Sequence, residues 1–419
     1  MSLTVFAPLA LLALAEPALP QGMVWVVDAQ GGPGAFSTAI QPAIDAAQDG
    51  DTILVRSGTY EAFVISGKAL VVAADAGPQP MLLGTSQIED LASFQRVTLR
   101  GFKNHPVERG GLVARNNQGP LWLEFVELHG LSGTDDWEPG EPGLLVEGCS
   151  AVVLERCDLS GGAGYYSFEF FPGAGAPGLR AVASSLAMHD CTTTGGFGGG
   201  AEEAWGDSGG QGVALADALL FASGTRFIGG PGGYGGEDCF FLGGCHCYDG
   251  GPGGSAVWAS GASAVTLLGC ELLPGLGGDS QCASIGSPGS ALLLQGGAAS
   301  TLLPGDHRSF QLTSPAAEGG TTTARFTGLP GDLVLLGYAA APGLLELPAL
   351  GSLVLSAPFV VIPGGVLPAS GVLQVAYSLP LLAPGVQGLG LFAQGAFLGT
   401  AGDAVLGGAS TLLILDAGL

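Results

Sequence analysis

Positive charge is nearly missing from this chain. Its 419 residues include only 12 Lys and Arg against 36 Asp and Glu, a net charge of -24. Lysine occurs twice, as Lys68 and Lys103. Nucleic-acid phosphates and anionic lipid surfaces are both held by clustered basic side chains, so neither is an expected partner. Charged residues of both signs make up just 11%, and the excess of acid is what keeps so apolar a surface hydrated. Long hydrophobic runs are absent too. No later stretch of ~20 apolar residues free of Gly and Pro could span a bilayer. There is no EF-hand loop, no recognised zinc spacing and no strict Gly period of three along the whole chain.

What the chain has instead is glycine, 75 residues of it, and a 47% apolar fraction that excludes a disordered polymer. It also has a repeated phrase, read as VTLRGF at 97–102, LWLEFV at 121–126, VVLERC at 152–157, LAMHDC at 186–191 and VTLLGC at 265–270. The last residues serve as markers: Phe102, Val126, Cys157, Cys191 and Cys270, with Thr225 in the missing place. They are separated by 24, 31, 34, 34 and 45 residues. Repetition on this scale predicts a solenoid whose rungs cannot fold singly. A bare rung needs little more than twenty residues, so the excess, always beyond the marker, predicts loops stacked along one edge. The markers themselves should form an internal ladder.

Residues 24–74 are the most specific segment. Ile40, Ala43, Ile44 and Ala47 share one face of a short helix with Ser37 as its expected N-cap. Gly50-Asp51 then turns the chain into the short strands TILV, FVI and LVV. The series Ile40-Gln41, Ala43-Ile44-Asp45, Gly50-Asp51-Thr52-Ile53, Val55 and Gly58-Thr59-Tyr60 resembles the first coil of the right-handed parallel β-helix proteins of the pectate-lyase-like superfamily. The resemblance covers about fifty residues and implies a capping helix followed by a β-helix. It implies no one activity, because enzymes, adhesins and metal-handling proteins share that coil.

The expected organisation is a secretory signal over 1–21, a parallel β-helix over 22–304 and a C-terminal β-sandwich-like domain over 305–419. The signal rests on the 13 apolar residues 3–15 and the small residues Ala13 and Ala15 before Glu16, although Met1-Ser2 supplies no positive charge. Residues 276–310 read as irregular. Beyond them, short alternating strands with turns every 8–12 residues suggest the sandwich, which resembles all-β modules on secreted bacterial proteins. Eight cysteines in an exported chain favour disulfides. Cys239 with Cys245 or Cys247 is the expected loop bridge, and Cys157 with Cys191 is a candidate across adjacent rungs, with burial as small hydrophobes the alternative.

The long loops hold the candidate chemistry. Asp135, Asp136, Glu202, Glu203 and Asp207 are the carboxylates that could act as acid and base. Trp137, Tyr165, Trp205, Tyr234 and Tyr248 offer flat apolar faces to sugar rings. Phe168, Glu169 and Phe170 belong to the same row. Glu237 and Asp238 are hard ligands that could take calcium. The expectation is an exported, cell-surface β-helix protein that binds a polysaccharide or cell-surface glycan, or serves a structural or adhesive role, through the edge 129–250. The alternative is a polysaccharide-degrading enzyme, a hydrolase rather than a lyase. A lyase needs basic residues to hold a uronate, and only Arg156, Arg180 and Arg226 lie across the loop-bearing rungs between Val126 and Cys270. A filament or envelope scaffold is a further reading, with the C-terminal domain capping the far end.

Overall fold

The computed structural model describes residues 7–8, 22–104, 110–167, 172–240, 244–400 and 402–419. The expected signal segment 1–21 lies outside them except for Ala7–Pro8, which pairs in parallel with Tyr377 and Ser378.

Three parallel sheets of ten, eight and eight strands run the length of the solenoid, and each rung gives one strand to each. The repeated phrase is the ten-stranded sheet plus its corner. In LWLEFV, Leu121–Glu124 is the strand, Phe125 turns the corner at φ 53° and Val126 is buried behind it. Arg156, Asp190, Gly224 and Gly269 make the same left-handed corner at φ 52°, 53°, 59° and 58°. One such residue per corner turns the chain from one sheet to the next while strand pairing continues on either side, and glycine adopts it at least cost. The markers Phe102, Val126, Cys157, Cys191 and Thr225 are all buried, and Cys270 is half-buried.

The helix Ile40–Ala46 covers the first rung with Ile40, Ala43 and Ile44 buried. Ser37 is not its N-cap. That position is Ala39, and the Ser37 hydroxyl instead accepts a hydrogen bond from the Ala39 N–H at 3.0 Å. Cys157 and Cys191 are not bridged either: both are free and buried. In one inward ladder their side chains point the same way, and the Cys157 N–H donates to Cys191 Sγ at 3.4 Å. Residues 276–310 are more regular than their sequence suggests, because Glu271–Leu273, Leu292–Leu294 and Ala299–Leu303 complete one more rung.

The long excursions beyond the markers are not independent loops. Each is a hairpin of two extended arms, and bonds between hairpins recur at every third residue. Gly161, Gly164 and Ser167 donate to the carbonyls of Thr194, Phe197 and Gly200, and Gly195, Gly198 and Ala201 donate to Ile228, Pro231 and Tyr234. A spacing of three is that of the polyproline-II helix, which makes no bonds within itself and so sends every one to a neighbour. A second series crosses between outgoing and returning arms: Gly196 to Ala176, Gly210 to Gly196, Gly230 to Gly210 and Gly254 to Gly230. The arms therefore form a two-layer slab on one edge of the solenoid. Glycine is required there by proximity. A Cβ on Gly196 would lie 1.9 Å from the Gly162 carbonyl oxygen, and one on Gly230 2.0 Å from that of Gly196.

The chain from Ser309 onward is all β. A four-stranded and a five-stranded sheet enclose their own core around Phe310, Phe326, Tyr377 and Phe397. This module packs on the flank of the solenoid. Trp122, Val153, Ala187 and Phe221 form one outward column of the ten-stranded sheet and meet Val354, Leu355, Phe392 and Ala409. The next outward column is polar: Arg100, Glu124, Glu155, His189. Glu124 is fully buried and takes Arg156 Nη2 at 2.8 Å, Ser410 Oγ at 2.7 Å and the Thr411 N–H at 2.8 Å. Arg156 also donates to the Phe310 and Ala409 carbonyls. His189 Nδ1 stands 2.7 Å from Glu155. Burial alone would raise the Glu124 carboxyl, but the Arg100 and Arg156 guanidiniums outweigh it and hold it below the ordinary range. Burial raises Glu155 despite His189 and Arg156.

Three substitutions report on stability. Gly230→Ala should cost upward of about 3 kcal/mol, since backbone on two sides leaves no room to relax. Gly385→Ala, with open space around it, should cost about 1 kcal/mol for its positive φ alone. Urea unfolding reads both. Glu124→Gln leaves two arginines facing a neutral amide and should cost roughly 3–5 kcal/mol. Because the folded pKa of Glu124 is lowered, its contribution is present above the ordinary glutamate pKa and is lost as pH falls through the lowered value. Unfolding midpoints of wild type and Glu124→Gln should therefore converge in acid.

Candidate functional site

The slab ends in a row of hairpin tips, and the residues singled out from the sequence lie on or beside them. What the tips hold is decided by the period of three. Positions in phase with the main-chain bonds face the next arm and must be small. Positions one phase away face outward and can carry bulk. Asp135, Tyr166, Gly200, Tyr234 and Asp279 fall at one level of the stack. A Cβ on Gly200 would touch both the Tyr166 ring and Tyr234 Cβ, so the two tyrosines close over a glycine gap.

Aromatic contacts gather at the third and fourth tips. Trp205 meets Tyr248 edge-on with ring centroids 5.1 Å apart, and His246 meets Tyr248 at 4.8 Å. Trp205 keeps 61% of its surface exposed, and Trp137 at the first tip keeps 65%. The Tyr234 hydroxyl donates to Gln281 Oε1 at 2.9 Å. Tyr166 is half exposed; partial burial and then the neighbouring Glu202 carboxylate raise its phenol above the usual value. Tyr165 contributes mainly backbone, its N–H donating to the Glu138 carbonyl and its own carbonyl accepting from Gly173. Phe168, Glu169 and Phe170 lie outside the described residues.

The carboxylates fall on two different hairpins. Asp135 accepts from the Asp136 N–H at 2.8 Å, and Asp136 accepts from the Ser167 hydroxyl at 2.9 Å. Asp207 accepts from its neighbour Ser208, N–H and hydroxyl. Glu138 folds back onto the Thr134 N–H, the Thr134 hydroxyl and the Asp135 N–H, which hold its carboxyl below the ordinary range. Asp135 and Asp136 belong to the first hairpin. Glu202, Glu203 and Asp207 belong to the third, and a whole hairpin lies between them. With arms spaced ~4.8 Å as in a sheet, the two groups stand about 10 Å apart along the stack.

Glu237 and Asp238 sit in the strand Glu237–Phe240, which pairs antiparallel with Gly244–Cys247. Consecutive strand residues point to opposite faces, so the two carboxylates leave the strand on opposite sides. Glu237 lies within 4.8 Å of the Cys239 and Cys245 sulfurs, but those sulfurs are joined to each other and offer no thiolate to a metal. The expected Cys239–Cys245 bridge is thus present. A second bridge, Cys247–Cys282, was missed; it ties the fourth tip to the fifth across a sequence separation of 35. Gln281 was missed with it. The signal that would have found both is the glycine period, which aligns 236 with 281 and 237 with 282.

No protein-family model matches the chain, and no curated protein is significantly similar to it. The geometry alone therefore defines the class: an all-β parallel solenoid whose hairpin arms build a glycine slab tipped with aromatic and acidic side chains.

Native alkylation followed by non-reducing peptide mapping checks the cysteine arrangement. Cys149, Cys157 and Cys191, buried in the core, should stay unlabelled until the protein is denatured. Linked peptides should contain Cys239 with Cys245 and Cys247 with Cys282.

Proposed function

We propose that the protein is exported and binds glycans through the slab tips without cleaving them. The observation that carries this is the group Trp205, Tyr248 and His246, with the Tyr234–Gln281 pair beside it. Aromatic faces bind sugar rings by their apolar sides, while amide and carboxylate oxygens take the hydroxyls. Rigidity supports the reading. The arms are bonded to their neighbours, one disulfide closes the fourth tip and a second ties it to the fifth, so little conformational entropy is left to lose on binding. Disulfides of this kind persist in an oxidising compartment, which supports export.

Hydrolysis is the less supported reading. It needs two carboxylates about 5–9.5 Å apart around one glycosidic bond. The acids of the first and third hairpins stand about 10 Å apart along the stack, and Asp135, Asp136 and Asp207 are each engaged within the hairpins. The C-terminal module covers the outer face of the ten-stranded sheet at Trp122, Val153, Ala187 and Phe221.

Binding to a panel of immobilised polysaccharides tests the proposal. Trp205→Ala and Tyr248→Ala should each weaken binding at least about tenfold, the loss of one stacked ring, while Asp136→Asn and Glu203→Gln should leave it nearly unchanged. Release of reducing sugar that Asp136→Asn or Glu203→Gln abolishes would overturn it.

A further inference from the structure

Among the described residues, only one end of the solenoid is closed. The inward column Val72, Leu99, Leu123, Leu154, Met188, Ala222, Leu267, Leu302 runs in register along the ten-stranded sheet. The first six members are 0% exposed and Leu267 is 3%, but Leu302, which points into the same core, is 70% exposed. Leu292 and Leu294 are only partly buried, whereas Val257 and Ala259 one rung earlier are fully so. Leu272 in the third sheet is partly buried over a fully buried Phe227. At the opposite end the helix Ile40–Ala46 seals the core. The C-terminal module, expected to seal the far end, packs on the flank instead.

An open strand edge is a template for pairing, and chains that must avoid this place charge or proline on it. The slab part of the last rung follows that rule, because Pro274 and Pro288 remove donors. The β part does not. Between Glu271 and Asp306 the only charged residue is Asp279, in a chain of net charge -24. Two copies of so acidic a protein repel one another wherever they meet except across a face that carries almost no charge.

We propose that this end is a self-association surface on which a second copy docks end to end about a two-fold axis. The exposed strands Ala299–Leu303, Leu292–Leu294 and Glu271–Leu273 form a cross-section of three edges, and an identical cross-section is the partner whose edges fall in the same places. Stacking this end onto the opposite end of another copy is blocked, because the helix Ile40–Ala46 lies over that end with Asp45 and Asp49 beside it. The contact is therefore isologous, and a closed dimer forms in place of an open fibre. Leu302, Leu292, Leu294 and Ile285 supply the apolar centre that a stable interface needs.

Sedimentation equilibrium of the full chain at tens of micromolar tests this. The wild type should sediment at twice the chain mass of 41.5 kDa. Leu302→Lys and Ile285→Lys, both at exposed positions that the monomer can spare, should each sediment at the chain mass and keep the wild-type far-UV spectrum. Amide exchange in 292–303 should slow as concentration rises through the dimerisation range, a readout that needs no variant. A monomeric wild type overturns the proposal. So does a dimer that neither lysine disrupts, an open polymer, or exchange in 292–303 that is indifferent to concentration.

Discussion

Main-chain hydrogen bonding from one rung to the next is the constraint on which everything else here depends. In the three sheets it takes the β form, with side chains alternating inward and outward. Beyond the markers the same stacking continues in threefold arms, where two positions in three must approach a neighbouring backbone and only the third is free to carry a side chain. One rung thus has two grammars, and the change between them occurs at the end of strands such as Glu127–His129 and Asp158–Ser160. This is why glycine is so abundant and why the bulky tip residues fall where they do: between positions where a Cβ would strike a carbonyl oxygen at about 2 Å.

The flank and the edge divide the labour of the molecule. The middle strands of the ten-stranded sheet are buried on both faces, by the core within and by the C-terminal module without, and the module is held by an apolar column around Trp122 and a charged one around Glu124. Glu124 and Glu155, stacked in one column, are driven in opposite directions. The first is held charged by two arginines, and the second is pushed toward neutrality by burial beside a single arginine and a histidine. The slab edge is left open to solvent and carries the aromatic and acidic tips. The proposed glycan binding is placed on that edge, which combines exposure with rigidity.

Much of the solenoid was legible in the phrase itself. LWLEFV and VVLERC state a strand, a left-handed corner and a buried marker, and the capping helix was legible from Ile40, Ala43, Ile44 and Ala47. The slab was not, because a threefold arm leaves no apolar periodicity and its glycines look like turns. The last rung was hidden for a related reason: 271–303 lacks a marker phrase, although Leu292–Leu294 and Ala299–Leu303 pair like the others. At the tips the residue types were legible and their partners were not. Trp205 with Tyr248, Tyr234 with Gln281 and Cys247 with Cys282 depend on the register of arms up to 47 residues apart. Cys157 and Cys191 show the converse limit: correct spacing for a bridge, but side chains set in parallel by the ladder.

The central claim is that the glycine-rich excursions are a bonded slab. Hydrogen exchange resolved to peptides 193–212 and 228–236 tests it most directly. The account predicts that the amides of Gly196, Gly210 and Gly230 exchange as slowly as those of the strand Ser185–His189. Exchange of these glycines at the rate of open loops, while that strand stays protected, would contradict it.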